Sequence, residues 1–165
     1  RTGYRFDVLC DYGAFRDLQR HRPLMIEWQR LTPELGYDVP EAVTEAGLAG
    51  EWDRAMTVSR ETWEALEAAG LPDVAQYSVA MAYRIRFVMQ MSAREAMHLI
   101  ELRSSPQGHP TYRRVAQQMH DLIEKNAGHR AIARTMTYLD TSDVDLERLE
   151  AERRAEARRK AARTG

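Results

Sequence analysis

Cysteine is almost absent from this 165-residue chain; Cys10 is the single one, so no internal disulfide framework can form. That lone thiol sits in an apolar-looking run, and no signal-like segment accompanies it, which together lead us to expect a reduced, cytoplasmic protein. No apolar run approaches the ~20 residues that a bilayer-spanning helix needs, so no membrane segment is expected. Neither sign of charge dominates. Lys+Arg is 24 and Asp+Glu is 25, a net charge of -1, which speaks against the basic footprint of a nucleic-acid binder. His21, His98, His109, His120 and His129 show no paired ligand spacing and have no cysteine pair to assist them, so no metal site is expected. The nine glycines are scattered without forming a phosphate cradle, and no serine occupies a nucleophile elbow.

What is present is a composition of 44% hydrophobic and 30% charged residues, the balance of a globular domain able to bury its own core. Residues 1–141 read as that domain. Residues 142–165 turn Glu-, Arg- and Ala-rich, with almost nothing large and apolar after Leu149, and read as a solvated helical tail. The chain opens at Arg1 with a strand-like run almost at once, as expected of a segment whose N-terminal part is missing.

The periodicities predict a mostly helical α+β chain with two strands. Tyr4 to Cys10 mixes aromatic and β-branched residues in partial alternation, suiting a strand with one buried face. Asp11 can cap a helix whose stripe is Ala14, Phe15 and Leu18, running to Arg22 and stopped by Pro23. Thr32, Pro33, Gly36 and Pro40 mark a loop, followed by a short helix over Pro40 to Ala49. A longer helix over Glu51 to Ala69 spaces Trp52, Ala55, Trp63, Leu66 and Ala69, and Gly70 with Pro72 ends it. The second strand is expected within Val79 to Met91, where Tyr83, Ile85 and Phe87 alternate with Arg84 and Arg86. Ser92 with Glu95 three residues on forms a capping-box pattern that opens a helix through Ala96, Leu99, Ile100 and Arg103. After a turn over Ser104 to Pro110, another helix carries Val115, Met119, Leu122 and Ile123 on one face up to about Lys125.

Two cationic groups are the candidates for chemistry. Arg20, His21 and Arg22 crowd the expected helix end, where positive charge offsets the negative end of the macrodipole at roughly 0.3–1 kcal/mol per group. Three adjacent donors cannot all cap the same carbonyls, however, and such a cluster also suits a ligand with several anionic groups, such as a dinucleotide pyrophosphate. In the second group, Arg94 and His98 are i, i+4 neighbours on one helix face, while Arg103, nine residues from Arg94, is expected to point elsewhere. A solvated stripe with an arginine complementing the dipole is the plain alternative.

Taken together, the two groups resemble the flavin-dependent thymidylate synthase family. Phe15-Arg16-Asp17-Leu18-Gln19-Arg20-His21-Arg22 is similar to that family's Arg-His-Arg signature. Ser92-Ala93-Arg94-Glu95-Ala96-Met97-His98-Leu99-Ile100-Glu101-Leu102-Arg103 is similar to its Asn-Ala-Arg helix ending in Leu-Arg, with the same separation between the arginines. The helix with Tyr112, Arg113, Ala116 and Gln117 takes the place of the family's next helix, and the match runs from about Phe6 to Tyr138. The resemblance implies an α+β fold, a homotetramer with active sites between subunits, and FAD, NADPH, methylenetetrahydrofolate and dUMP, with reduced flavin helping to carry a one-carbon unit to C5 of the uracil. It also implies that Arg20, His21, Arg22, Arg94 and His98 contact FAD, with Ser92 in place of the usual Asn. Arg103 then faces the pyrimidine, where a planar, permanently charged guanidinium stabilises negative charge developing during attack at C5.

The chain departs from the family on the substrate side. After Arg-His-Arg the family continues through four residues to Asn-Glu-x-Ser-x-Arg-Tyr, whereas Glu27, Trp28, Arg30, Thr32 and Pro33 stand here. Gln76 aligns with a further substrate arginine. Asp17 replaces a Gln, and its charge would repel a nucleotide phosphate unless offset. Retention on the flavin side with loss on the substrate side also fits an alternative: a catalytically degenerate structural or interaction half of a tandem protein of this fold, with a second half-domain or another copy as its partner.

Overall fold

The computed structural model describes residues 2–142, so all but the first residue of the expected tail lies outside them. Strand β1 (Gly3–Asp11) buries Tyr4, Phe6, Val8 and Cys10 and exposes the residues between them, the period-two pattern of a sheet with one face on the core. Burial pushes the Cys10 thiol up to about 12, with the neighbouring Asp11 charge acting the same way, which keeps it an inert core side chain. Asp11 Oδ1 accepts from the Ala14 amide at 2.7 Å and so opens helix α1 (Tyr12–Leu18).

Helix α1 ends four residues earlier than the sequence suggests. The His21 amide folds back to the Leu18 carbonyl at 3.4 Å, and Arg20, His21 and Arg22 lie beyond the helix. Pro23 disfavours helical geometry at Arg22, and Leu18, fully buried, is the last residue the apolar stripe can hold. The three basic residues therefore do not share a helix end, and the macrodipole reading of them falls away.

The sheet has three strands rather than two, in the order β1-β3-β2. Strand β2 (Leu24–Trp28) is the one that the alternation rule cannot detect: apolar Met25 and Trp28 sit on opposite parities, so no polar–apolar period appears. Strand β3 (Arg84–Ser92) is central and buries Ile85, Phe87, Met89 and Met91. It starts later than expected because the Tyr83 amide closes a turn onto the Ala80 carbonyl at 3.0 Å. β1 runs antiparallel to β3, since Gly3 lies beside Met91 while Asp7 pairs with Arg86 at 2.6 Å.

The described residues fall into two compact units, one holding residues 2–6, 17–25 and 89–142, the other residues 7–16 and 26–88. In the second unit come α2 (Glu41–Glu45), α3 (Ala49–Ala68) and α4 (Pro72–Ala75), the last not foreseen. Gly70, at φ +72°, ends the long helix in the left-handed region, as expected there. The first unit contains α5 (Ala93–Ser104), α6 (Pro110–Asp121), a π-type turn (Leu122–Asn126) and the short α7 (Arg130–Arg134), also unforeseen. α5 packs on α6 through buried Ala96, Leu99, Ile100, Val115, Ala116 and Met119, each large side chain stabilising by roughly 1.5–3 kcal/mol. Ile123 joins that core, whereas Leu122, expected beside it, is 44% exposed at the start of the π-type turn. No helix among the described residues is long and apolar enough to cross a membrane.

Candidate functional site

In the first unit, the chain segment after α1 and helix α5 meet at one buried imidazole. His21 is only 7% exposed, although its neighbours Arg20 and Arg22 are both on the surface. Its Nδ1 is 2.9 Å from Glu95 Oε1, and its Nε2 is 3.1 Å from Arg103 Nε. A guanidinium N–H can only donate, so Nε2 must accept; the ring proton then sits on Nδ1 and is donated to the carboxylate. The ring is held neutral. Burial is the main force lowering its pKa, the Arg103 and His98 charges act in the same direction, and the Glu95 carboxylate opposes them. His98, one turn beyond Glu95, brings its ring to 5.5 Å from that of His21, edge-on at 62°.

Arg103 does not point away from the cluster, as its spacing from Arg94 suggests. Helical side chains lean toward the N-terminus, so a long arginine in the last turn reaches back to the level of His21. Its guanidinium lies 5.5 Å over the Tyr112 ring of α6, a cation–π arrangement, and its Nη1 is 3.9 Å from Asp17 Oδ1. Asp17 also draws Arg20, whose Nη1 is 3.5 Å away. The charge at position 17 is thus offset within the unit by two arginines. With Nε committed to His21, the terminal nitrogens of Arg103 are the donors that remain to meet a ligand, on a side chain that is 15% exposed.

The remaining candidates stand apart from this cluster. Arg22 and Arg94 are exposed and have no ion-pair partner among the described residues. Ser92 is the N-cap of α5, its Oγ accepting from the Glu95 amide at 3.3 Å, as the sequence pattern predicts. The other half of the capping box is not made, because the Glu95 carboxylate is turned to His21. Ser92 also borders an open groove of ≈ 550 Å³ at one end of the sheet, shared with Arg5, Pro23, Met25 and Gln90, which His21, His98 and Arg103 do not line. Glu95, Asp17 as a clamp, and Tyr112 as a platform were not legible as site residues, since each needs a partner 9 to 86 positions away. Among the described residues one trio, His120, Asp121 and Glu124, has ligand atoms within 4.8 Å, but Lys125 already occupies Asp121 at 2.7 Å.

In the second unit, the positions that depart from the family pattern have structural duties. Arg30 pairs with Glu67 at 3.6 Å and with Asp73 at 3.5 Å. The Thr32 hydroxyl caps the 3₁₀ turn at Pro33–Leu35, and Gln76 Oε1 accepts from the Leu31 amide at 3.2 Å.

Comparison with known proteins adds an independent view. The family model described as thymidylate synthase complementing protein matches residues 2–127. A UPF0159 protein of Chlamydia muridarum is 39% identical over 155 residues, which is 93% of this chain and 28% of that protein. A UPF0159 protein of Thermoplasma acidophilum is 38% identical over 152 residues, or 92% of this chain and 30% of that protein. The chain therefore spans less than a third of the length of these curated relatives. Among solved structures, a UMP/dUMP methylase, PolB, from Streptomyces cacaoi, bound with 5-Br dUMP, superposes with a TM-score of 0.67 over 80% of this chain and 72% of that one. At 21% identity the likeness is one of fold.

Proposed function

The chain belongs to the thymidylate synthase complementing protein family, and from that premise we propose that it is a flavin-dependent methylating unit acting at C5 of a uracil nucleotide, converting dUMP to dTMP. The observation that carries this reading is the setting of Arg103, a largely buried guanidinium oriented by His21 and resting on Tyr112 with its terminal nitrogens left for a ligand. Set against a uracil, those nitrogens would face the N3 and carbonyl edge and stabilise the negative charge that builds there as C5 attacks.

The donor set suits FAD. Arg22 and Arg94 are exposed cations without ion-pair partners among the described residues, and Arg20 is 67% exposed, so three guanidinium groups are open to an anionic ligand such as a pyrophosphate. Ser92 and His98 would add polar contacts. His21, with both ring nitrogens engaged inside the chain, offers a flavin only its ring carbons and faces. When bound, reduced FAD, with NADPH and methylenetetrahydrofolate as co-substrates, would supply the reducing equivalents and the one-carbon unit. A second copy or a second half-domain of the same fold would complete the site.

One observation favours the alternative reading, a structural half without its own turnover. Arg30, Thr32 and Gln76, the substrate-side positions, are all occupied by contacts within the second unit. Colour separates the two readings. The full-length protein is expected to purify with visible flavin absorption, or to perturb the spectrum of added FAD, and to bleach it with NADPH. A protein that does neither leaves the structural reading in its place.

A further inference from the structure

We propose that Glu95 is a positioning residue for Arg103, acting through the imidazole of His21, which lies between the two side chains. The inference rests on the reading that Arg103 faces a nucleotide, and its core, the control of His21 and Arg103 by Glu95, can be tested without turnover.

Glu95 does not complete the capping box. As the third helical residue of α5 after a serine cap, its carboxylate could turn back to the start of the helix and stay in water. It is instead 7% exposed, with Oε1 on His21 Nδ1 at 2.9 Å. A buried carboxylate is tolerated only where a donor meets it, and the donor here is the one whose position has a consequence. With its proton held on Nδ1, His21 presents a lone pair at Nε2, which is what the Arg103 Nε–H requires at 3.1 Å. With the proton moved to Nε2, or with both nitrogens protonated, two donors would oppose each other and Arg103 would be displaced. Glu95 and Arg103 lie eight residues apart on the same rigid helix, so the chain Glu95, His21, Arg103 closes on itself without a flexible link. The His98 ring covers the imidazole edge-on and Asp17 attracts the far end of the guanidinium, so rotation of either group away from this arrangement is opposed. The logic is that of any buried acid that fixes the tautomer of a histidine, applied here to a histidine that aims an arginine rather than one that moves a proton.

The test uses the full-length protein with Glu95→Ala and Glu95→Gln. Nitrogen-15 NMR of the His21 ring is expected to show Nδ1 protonated and Nε2 bare at neutral pH in wild type, and the Arg103 Nε–H is expected to exchange slowly with water. In Glu95→Ala the single tautomer is lost and the Arg103 Nε–H exchanges quickly. Tritium release from C5-labelled dUMP then falls roughly 10- to 100-fold in kcat, the scale typical of partners that act through another residue, with a smaller change in KM. Glu95→Gln keeps an acceptor oxygen, so it is expected to preserve the tautomer and restore most of the rate; should the alanine form fail to fold, the protonation of the wild-type His21 ring decides. A wild-type ring protonated on Nε2, or a Glu95→Ala protein with unchanged tautomer and unchanged Arg103 exchange, overturns the proposal. Wild type without any tritium release overturns instead the reading of the reaction, while the two NMR measurements still decide whether Glu95 sets Arg103.

Discussion

His21 shows how far residue identity alone can mislead about role. In the sequence it is the middle of three adjacent basic residues, and nothing distinguishes it from Arg20 and Arg22. In the structure it is the buried member, with both ring nitrogens committed, while the two arginines remain on the surface. The distinction depends on Glu95 and Arg103, 74 and 82 positions away, which no local pattern reports. Its titration carries a stability consequence. Burial holds the His21 pKa below its ordinary value of 6.5, so in that interval the unfolded chain binds a proton that the folded chain does not. Stability should therefore be fully present above pH 6.5 and decline as the pH falls below it toward the lowered value. Urea midpoints measured across that range are expected to fall with acidification in wild type. In His21→Gln the slope should be shallower, and an equal slope in both would assign the proton to another group.

At the scale of elements, legibility followed the physics of burial. β1, β3 and the helix face of Val115, Met119 and Ile123 were readable because each has one side in the core, which imprints a period on the sequence. β2 left no such imprint, and the end of α1 was misplaced because the stripe counted apolar residues without weighing the constraint that Pro23 places on Arg22. The turn between α5 and α6 was foreseen as a turn, but its tightness was not. A Cβ on Gly108 would lie 2.5 Å from Tyr112 Cε2 and 3.0 Å from Arg113 Cγ. Arg113 cannot give way, being buried with its Nε on the Ser104 carbonyl at 3.0 Å, so the Tyr112 ring must move. Gly108→Ala is therefore expected to cost about 1–3 kcal/mol by overpacking and to disturb the ring under Arg103. Denaturant unfolding, with Tyr112 ring resonances followed in parallel, checks it; wild-type stability with an unmoved ring would show that the turn has slack.

For the molecule as a whole, every residue with a proposed role toward flavin or uracil belongs to the first unit, and the family's missing substrate contacts, position 17 apart, fall in the second. That partition was half visible beforehand. The Arg-His-Arg segment and the helix from Ser92 to Arg103 carried the family resemblance, because spacing along one chain survives divergence. The structural employment of Arg30, Thr32 and Gln76 was hidden, because their partners are set by tertiary packing. The proposed methylation turns on Arg103. Its most direct test is tritium release from C5-labelled dUMP by the full-length protein, with FAD, NADPH and methylenetetrahydrofolate supplied, comparing wild type with Arg103→Lys, which keeps the charge but removes the planar fork. The predicted result is a wild-type rate above background that falls roughly 10²- to 10³-fold in the variant while its melting temperature stays unchanged. Equal rates in the two proteins, or no release from either, would contradict it.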